Sequence, residues 1–398
     1  MTPSPAVRQT HHVSQGVLLT AVVLVALNLR VALSSLPTVI TDIQDATGWS
    51  DSTLGVLTTI PVLCMGFIAL TVPSLVMLVG RKKVVIVALL ALIFSLSMRA
   101  LENLPELLFV SAFLSGVGIA LTAGVIPGIV RAQLPDSLGT ANALWTTAMM
   151  ASAAMGGALT VPIAIWLDSW SLALAFWALP AVIALLFWFV AERNAPNHDR
   201  QTTNLSLRSL PWRNPLAWAL TMNMAINSIV FYSSIAWIAP SFVERGLSQE
   251  DAGWLFGAFT GAQVVSALVL AGISTRIRHR RTVLTIAITS ATVALVAIGW
   301  APSFVPWITL IVFGFFISGA FAMLLGLLSE YSVDAPSAAR LTAMAFFITY
   351  TIGAFGPFFS GVLLDVFNSW SVVFTVLAVI LITQVAFIPP LKRNVTIT

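Results

Sequence analysis

The chain has 398 residues, of which 58% are hydrophobic and only 9% charged, and its formal net charge is +4. Soluble domains carry roughly 25% charged residues, so this chain cannot cover a water-facing surface, and lipid is its main solvent. That excludes a soluble enzyme, and the basic balance reads as loop charge that sets membrane topology rather than as a nucleic-acid footprint.

Twelve apolar segments of spanning length follow one another, at 17–40, 54–79, 83–101, 105–130, 139–166, 170–191, 215–240, 249–273, 283–301, 304–328, 340–364 and 370–390. Each is long enough for a hydrocarbon core of about 30 Å. The first carries Arg30 at its centre, where insertion scales set the cost of an arginine at roughly 2.5–3.5 kcal/mol. No other lysine, arginine, aspartate or glutamate sits at comparable depth. On a continuous helix Ala26, Arg30, Ser34 and Pro37 share one face, with Asn28 on the other side. The second segment holds Cys64, the single cysteine, so neither an intrachain disulfide nor a cysteine metal site is expected. Arg99 closes the third segment beside Glu102, which reads as a structural ion pair. The prolines inside segments, such as Pro61, Pro127, Pro180 and Pro357, are tolerated in membranes because neighbouring helices satisfy the freed backbone groups.

With both termini cytoplasmic, sixteen of the 19 basic residues fall inside, Arg99 and Arg245 fall outside, and Arg30 stays in the membrane. The opposite topology violates the positive-inside rule. The longest polar interruption, 192–213, divides the chain into 1–191 and 214–398, six segments on each side. A repeat supports that division: Leu167-Asp168 and Ser169-Trp170-Ser171 open the sixth segment, and Leu364-Asp365 and Ser369-Trp370-Ser371 open the twelfth. Basic clusters also recur, GRKK at 80–83 and RIRHRR at 276–281. The expected fold is therefore all-α, twelve transmembrane helices in two pseudo-symmetric six-helix bundles. This resembles the major facilitator superfamily, whose halves rock about a site near the midplane.

The loop after the second segment, PSLVMLVGRKK at 73–83, partly matches that superfamily's signature of a glycine, an aspartate and then G-R-K. Gly80, Arg81 and Lys82 match, while Pro73 and Met77 replace the glycine and aspartate. The resemblance implies a conformational latch at Gly80, Arg81 and Lys82; the residues alone read equally as a positive-inside loop. Further strings run through nearly the whole chain: NLR at 28–30, GVLTTIPVLCMG at 55–66, Met98-Arg99, WALPAVIALLFW at 177–188, NPLAW at 214–218 and INSIVFY at 226–232. These are similar to the cyanate and 2-nitroimidazole transporter family. That resemblance implies a bacterial inner-membrane carrier for small anions or small polar heterocycles.

The polar residues outline a candidate cavity. Asn223, Asn227 and Ser234 form a stripe on the seventh segment with Phe231 between them. Gln263 lies mid-way along the eighth and Tyr350 along the eleventh, and Asn142, Trp145 and Met149 share a face of the fifth. Together with Arg30 they offer a planar guanidinium fork suited to oxyanions, neutral donors and aromatic walls. The expected substrate-binding set is Arg30, Asn223, Asn227, Gln263, Tyr350 and Trp145. Each has a packing alternative, since buried amides often bond adjacent helices. A proton-coupled exporter of lipophilic compounds is the alternative function, but it calls for a buried carboxylate, and all fifteen Asp and Glu residues lie in loops or at segment ends. Without a buried acid the expectation is a uniporter, an exchanger, or symport in which the proton travels with the substrate or by way of an end-located acid such as Glu102 or Asp365. No metal, cofactor, nucleic acid or catalytic cluster is expected. The partners are a small-molecule substrate and the bilayer, and a monomer is the default on analogy.

Overall fold

The computed structural model describes residues 15–134, 137–191, 209–273, 280–391 and 397. Most of the 192–213 interruption and the basic residues Arg8, Arg193, Arg200, Arg208, Arg276, Arg278, Lys392 and Arg393 lie outside the described residues. The architecture is all-helical. Among the described residues, ten helical stretches are long and apolar enough to cross a membrane.

The first stretch, Gln15–Thr47, is not one helix. Helix α1 covers Gln15–Ala26 and α2 covers Val31–Ser34; a 3-10 turn at Leu36–Val39 then leads into α3, Ile40–Thr47. The apolar count ended at Ile40, but the amphipathic ITDIQDAT continues the helix until Gly48 stops it at φ 68°, a conformation that favours glycine.

Helix α4 (Asp51–Ala69) is capped by the Ser50 hydroxyl, which accepts the Thr53 N–H. It passes through Pro61 and is followed by α5 (Val72–Val79). Helix α6 (Arg81–Met98) starts directly after Gly80, whose φ of 86° makes the corner. Then come α7 (Leu107–Gln133), α8 (Leu138–Leu167), α9 (Trp170–Phe176) and α10 (Ala178–Ala191). The second part holds α11 (Pro215–Val243), α12 (Gln249–Ile273), α13 (Arg280–Trp300), α14 (Pro306–Glu330), α15 (Ala335–Phe367) and α16 (Trp370–Thr383). Asn214 caps α11 by accepting from Leu216 and Ala217, with Pro215 in the first turn.

Two large apolar cores form among the described residues, beside two small clusters. One gathers buried side chains between Leu18 and Ala191. The other gathers those from Leu210 onward and draws in Leu36, Ile40, Leu54 and Leu57 from the first part. The parts meet along α4 with α15 and along α8 with α12, where small residues let the backbones approach. A Cβ on Gly55 would stand 2.6 Å from the Pro357 carbonyl oxygen, and one on Gly253 would stand 3.1 Å from that of Gly157. Close packing of this kind drives helix association in lipid, where apolar side chains gain nothing by leaving the tails.

At one end of this seam the contact is also polar. The Asp365 carboxylate accepts the Asp51 N–H at 2.9 Å and the Ser52 N–H at 3.0 Å. An acid on α15 thus caps the N-terminus of α4 across the seam, where backbone donors and the helix dipole favour negative charge. Beside it the Gln249 amide donates to Thr41 Oγ1 at 2.8 Å, joining α12 to α3.

Candidate functional site

The interruption between α1 and α2 falls on Arg30. Asn28 and Leu29 donate to carbonyls three residues back, Val25 at 3.1 Å and Ala26 at 3.2 Å, so the chain is overwound there. The next two N–H groups, on Arg30 and Val31, turn out of the helix and donate to the Ser152 hydroxyl of α8 at 3.2 and 2.8 Å. A buried N–H without an acceptor costs about 1–3 kcal/mol, so Ser152 removes most of the cost of breaking the helix.

The Arg30 guanidinium is half-buried and lies over the Phe231 ring of α11, 5.6 Å from its centroid. Tyr232 and Tyr350 are within electrostatic reach of it, and their rings are 6.4 Å apart. Two of the chain's three tyrosines therefore gather at Arg30. Among the described residues no carboxylate pairs with Arg30. An arginine over an aromatic face gains about 0.5–2 kcal/mol, which leaves its donor edge available to an acceptor.

The other expected site residues divide. Asn227 donates to the Ile317 carbonyl of α14 at 3.2 Å, and so ties two helices together. The Asn223 amide donates weakly to Ala219 at 3.4 Å within α11, while its oxygen is buried without a partner. Gln263 is likewise buried with its Nε2 unpartnered. Trp145 packs in the core of the first part, and Asn142 is exposed. Gly80 forms the α5–α6 corner, and Arg81 lies against Gly128 of α7 in the same part.

Two local expectations change. The broken helix removes the continuous face of Ala26, Arg30, Ser34 and Pro37. Ser34 is buried against Gly156 of α8, and Pro37 is buried in the 3-10 turn. Arg99 does not pair with Glu102: it is buried, with Nε donating to Ser111 Oγ at 2.8 Å and a terminal nitrogen to the Ala32 carbonyl at 3.1 Å. Helix α6 ends at Met98, so Arg99 sits at its cap and its side chain turns inward while Glu102 accepts from Ser171. Asn28 behaves as its side of the helix suggested, donating to Leu24 and, across to α10, to the Pro180 carbonyl at 3.3 Å. Tyr232 and Ser152 carried no expectation. Tyr232 was legible only as the end of the INSIVFY string, and Ser152 reads in the sequence as one more small residue in an alanine- and glycine-rich helix.

The sequence profile of the Major Facilitator Superfamily matches residues 18–244 and 234–394. The chain belongs to the major facilitator superfamily. It is 30% identical over 353 residues to the cyanate transport protein CynX of Escherichia coli (strain K12), covering 89% of this chain and 91% of that protein. It is 29% identical over 360 residues to the 2-nitroimidazole transporter of the same organism, covering 89% and 90%. The fold matches the crystal structure of the nucleoside transporter NupG with a TM-score of 0.74 at 15% identity, over 95% of this chain and 100% of that one. These superfamily relatives are transporters, and this chain is a multi-pass membrane protein of the same kind.

Proposed function

We propose that this superfamily member is a secondary transporter that moves a small anion or small polar solute across the bacterial inner membrane by alternating access, with Arg30 as the substrate anchor. The observation that carries this reading is the Arg30 guanidinium, set at a helix break, backed by Phe231 and within electrostatic reach of Tyr232 and Tyr350, with no carboxylate among the described residues to neutralise it. An uncompensated charge at that depth calls for a partner of opposite sign or high electron density. Cyanate-like and nitroimidazole-like solutes fit, and the relatives near 30% identity carry those names. Asn223 and Gln263 add unpartnered polar atoms, with Asn227 and Trp145 fixing the helices that frame them.

In this reading twelve helices cross the membrane, with α6 and α12 joining the ten most apolar stretches. Both termini are cytoplasmic, and residues 1–191 and 214–398 form two bundles joined by 192–213. One core lies wholly within 1–191, and the other is drawn mostly from residue 210 onward. Gly80, Arg81 and Lys82 serve as the latch at the cytoplasmic end, and the protein works as a monomer without a cofactor.

The test is uptake by reconstituted vesicles. Arg30→Lys keeps the charge but loses the bidentate fork, and Arg30→Ala loses both, so uptake of radiolabelled cyanate or 2-nitroimidazole should fall in the first and vanish in the second. Wild-type uptake by both variants, at equal membrane content, would sink the proposal. A proton-coupled exporter of lipophilic compounds would instead show pH-driven efflux indifferent to Arg30.

A further inference from the structure

Ser152 is 1% exposed, on the face of α8 that packs against α2. One turn further along the same helix is Gly156, where an added Cβ would collide with Ser34 Oγ and stand 3.1 Å from a Val31 methyl. That close approach brings the Ser152 hydroxyl within reach of a backbone. In an unbroken helix the N–H groups of Arg30 and Val31 would bond to Ala26 and Leu27; here both converge on the one Ser152 oxygen. On the other flank Arg99, itself buried, donates to the Ala32 carbonyl. The segment that bears Arg30 is therefore held from two sides by side chains that do not line the Phe231, Tyr232 and Tyr350 cluster.

The break changes direction as well as bonding. Two residues wound at about 120° each instead of 100° turn everything downstream by about 40°. Without the Ser152 acceptor the two N–H groups lose their partner, and the backbone that sets the guanidinium over the Phe231 ring is loosened.

We infer that Ser152 is the positioning residue for Arg30: its hydroxyl holds the first span open between Leu27 and Arg30, and thereby aims the guanidinium into the site. This rests on the reading of Arg30 as the substrate anchor. Ser152 itself need not touch the substrate, because its effect passes through the backbone of the residue that does.

Two variants of the full-length protein test this. Ser152→Ala removes the acceptor, and Ser152→Cys keeps a side chain of similar shape with a weaker one. Vesicle uptake of radiolabelled cyanate and 2-nitroimidazole should show KM raised about ten-fold in Ser152→Ala and less in Ser152→Cys, with the maximal rate within about two-fold of wild type. Hydrogen exchange on peptides spanning 26–36 should be about ten-fold faster in Ser152→Ala, with peptides from α13 unchanged. Exchange is read without substrate, so it decides whether Ser152 holds the break even where neither probe is carried. Should Ser152→Ala fail to fold, Ser152→Cys decides by the same two readouts. Wild-type KM and wild-type exchange in the folded variants would overturn the inference. Arg30→Gln is run in parallel: normal uptake by that variant removes the anchor reading, while faster exchange in Ser152→Ala would still stand.

Discussion

The acid cap across the seam makes a quantitative claim about the conformational equilibrium. Asp365 accepts two N–H groups of α4 at 2.9 and 3.0 Å. Sheltered hydrogen bonds to a charged group contribute about 1.5–3 kcal/mol each, but Asp365 is exposed, so the scale for a helix N-cap, about 0.5–2 kcal/mol in all, is the better guide. Asp51 carries like charge nearby, which places the value near the middle of that range. A loss of about 1 kcal/mol shifts a two-state equilibrium roughly five-fold. Asp365→Ala should therefore raise the population in which this end of the seam is open about five-fold. Asp365→Asn, which keeps one carbonyl acceptor without the charge, should do so about half as strongly in free energy. Spin labels on exposed loops at this end, at Asn103 and Ser303 in a Cys64→Ser background, would report it as growth of the longer distance in double electron–electron resonance. Identical distance distributions in wild type and Asp365→Ala would refute the argument that this cap holds the two parts together.

Other expectations follow from single contacts. Gly116→Ala places a Cβ 2.6 Å from the Pro61 Cα, where only backbone can yield, and should lower stability by about 1–3 kcal/mol in a detergent melt; Gly326→Ala, which meets nothing within 4 Å, should not destabilise. Asn28→Ala loses the bond to Pro180 and should cost about 0.6 kcal/mol, with cyanate KM within about two-fold of wild type in vesicle uptake. The Asp334 carboxyl, capping α15, lies below its ordinary value of 3.8 because the Ser337 hydroxyl and N–H both donate to it. Its stabilisation is full above that ordinary value and is lost as pH falls through the lowered one. The melting advantage of wild type over Asp334→Ala should thus be flat above about pH 5 and shrink below about pH 4; an advantage that persists at lower pH would contradict the assignment.

Much of the fold was legible in the sequence because lipid imposes a simple rule: long apolar runs, with polar residues only where partnered. Arg30 stood out by that rule, and the superfamily was readable from repeats and strings along the chain. The break at 27–30 was not legible, since no glycine or proline lies within it and its acceptor, Ser152, is more than a hundred residues away. Arg99 and Glu102 have the spacing of an ion pair, but α6 ends one residue too early for that geometry. The stripe of Asn223 and Asn227 was visible, yet only packing decides whether an amide meets a substrate or, as for Asn227, a neighbouring carbonyl. Tyr232 escaped because adjacent residues on a helix point about 100° apart, so the sequence does not show that Phe231 and Tyr232 both reach Arg30.

The central claim is that Arg30 holds the substrate, and equilibrium binding tests it without assuming direction or coupling. Purified wild type and Arg30→Gln would be melted with rising cyanate, nitrate, 2-nitroimidazole, small carboxylates and a lipophilic cation. A ligand at about 100 times its Kd stabilises the folded state by about 2.7 kcal/mol. The account predicts that a small anion or nitroimidazole raises the wild-type melting temperature, that the cation does not, and that the shift disappears in Arg30→Gln. An equal shift in both proteins, or stabilisation by the cation alone, would contradict it.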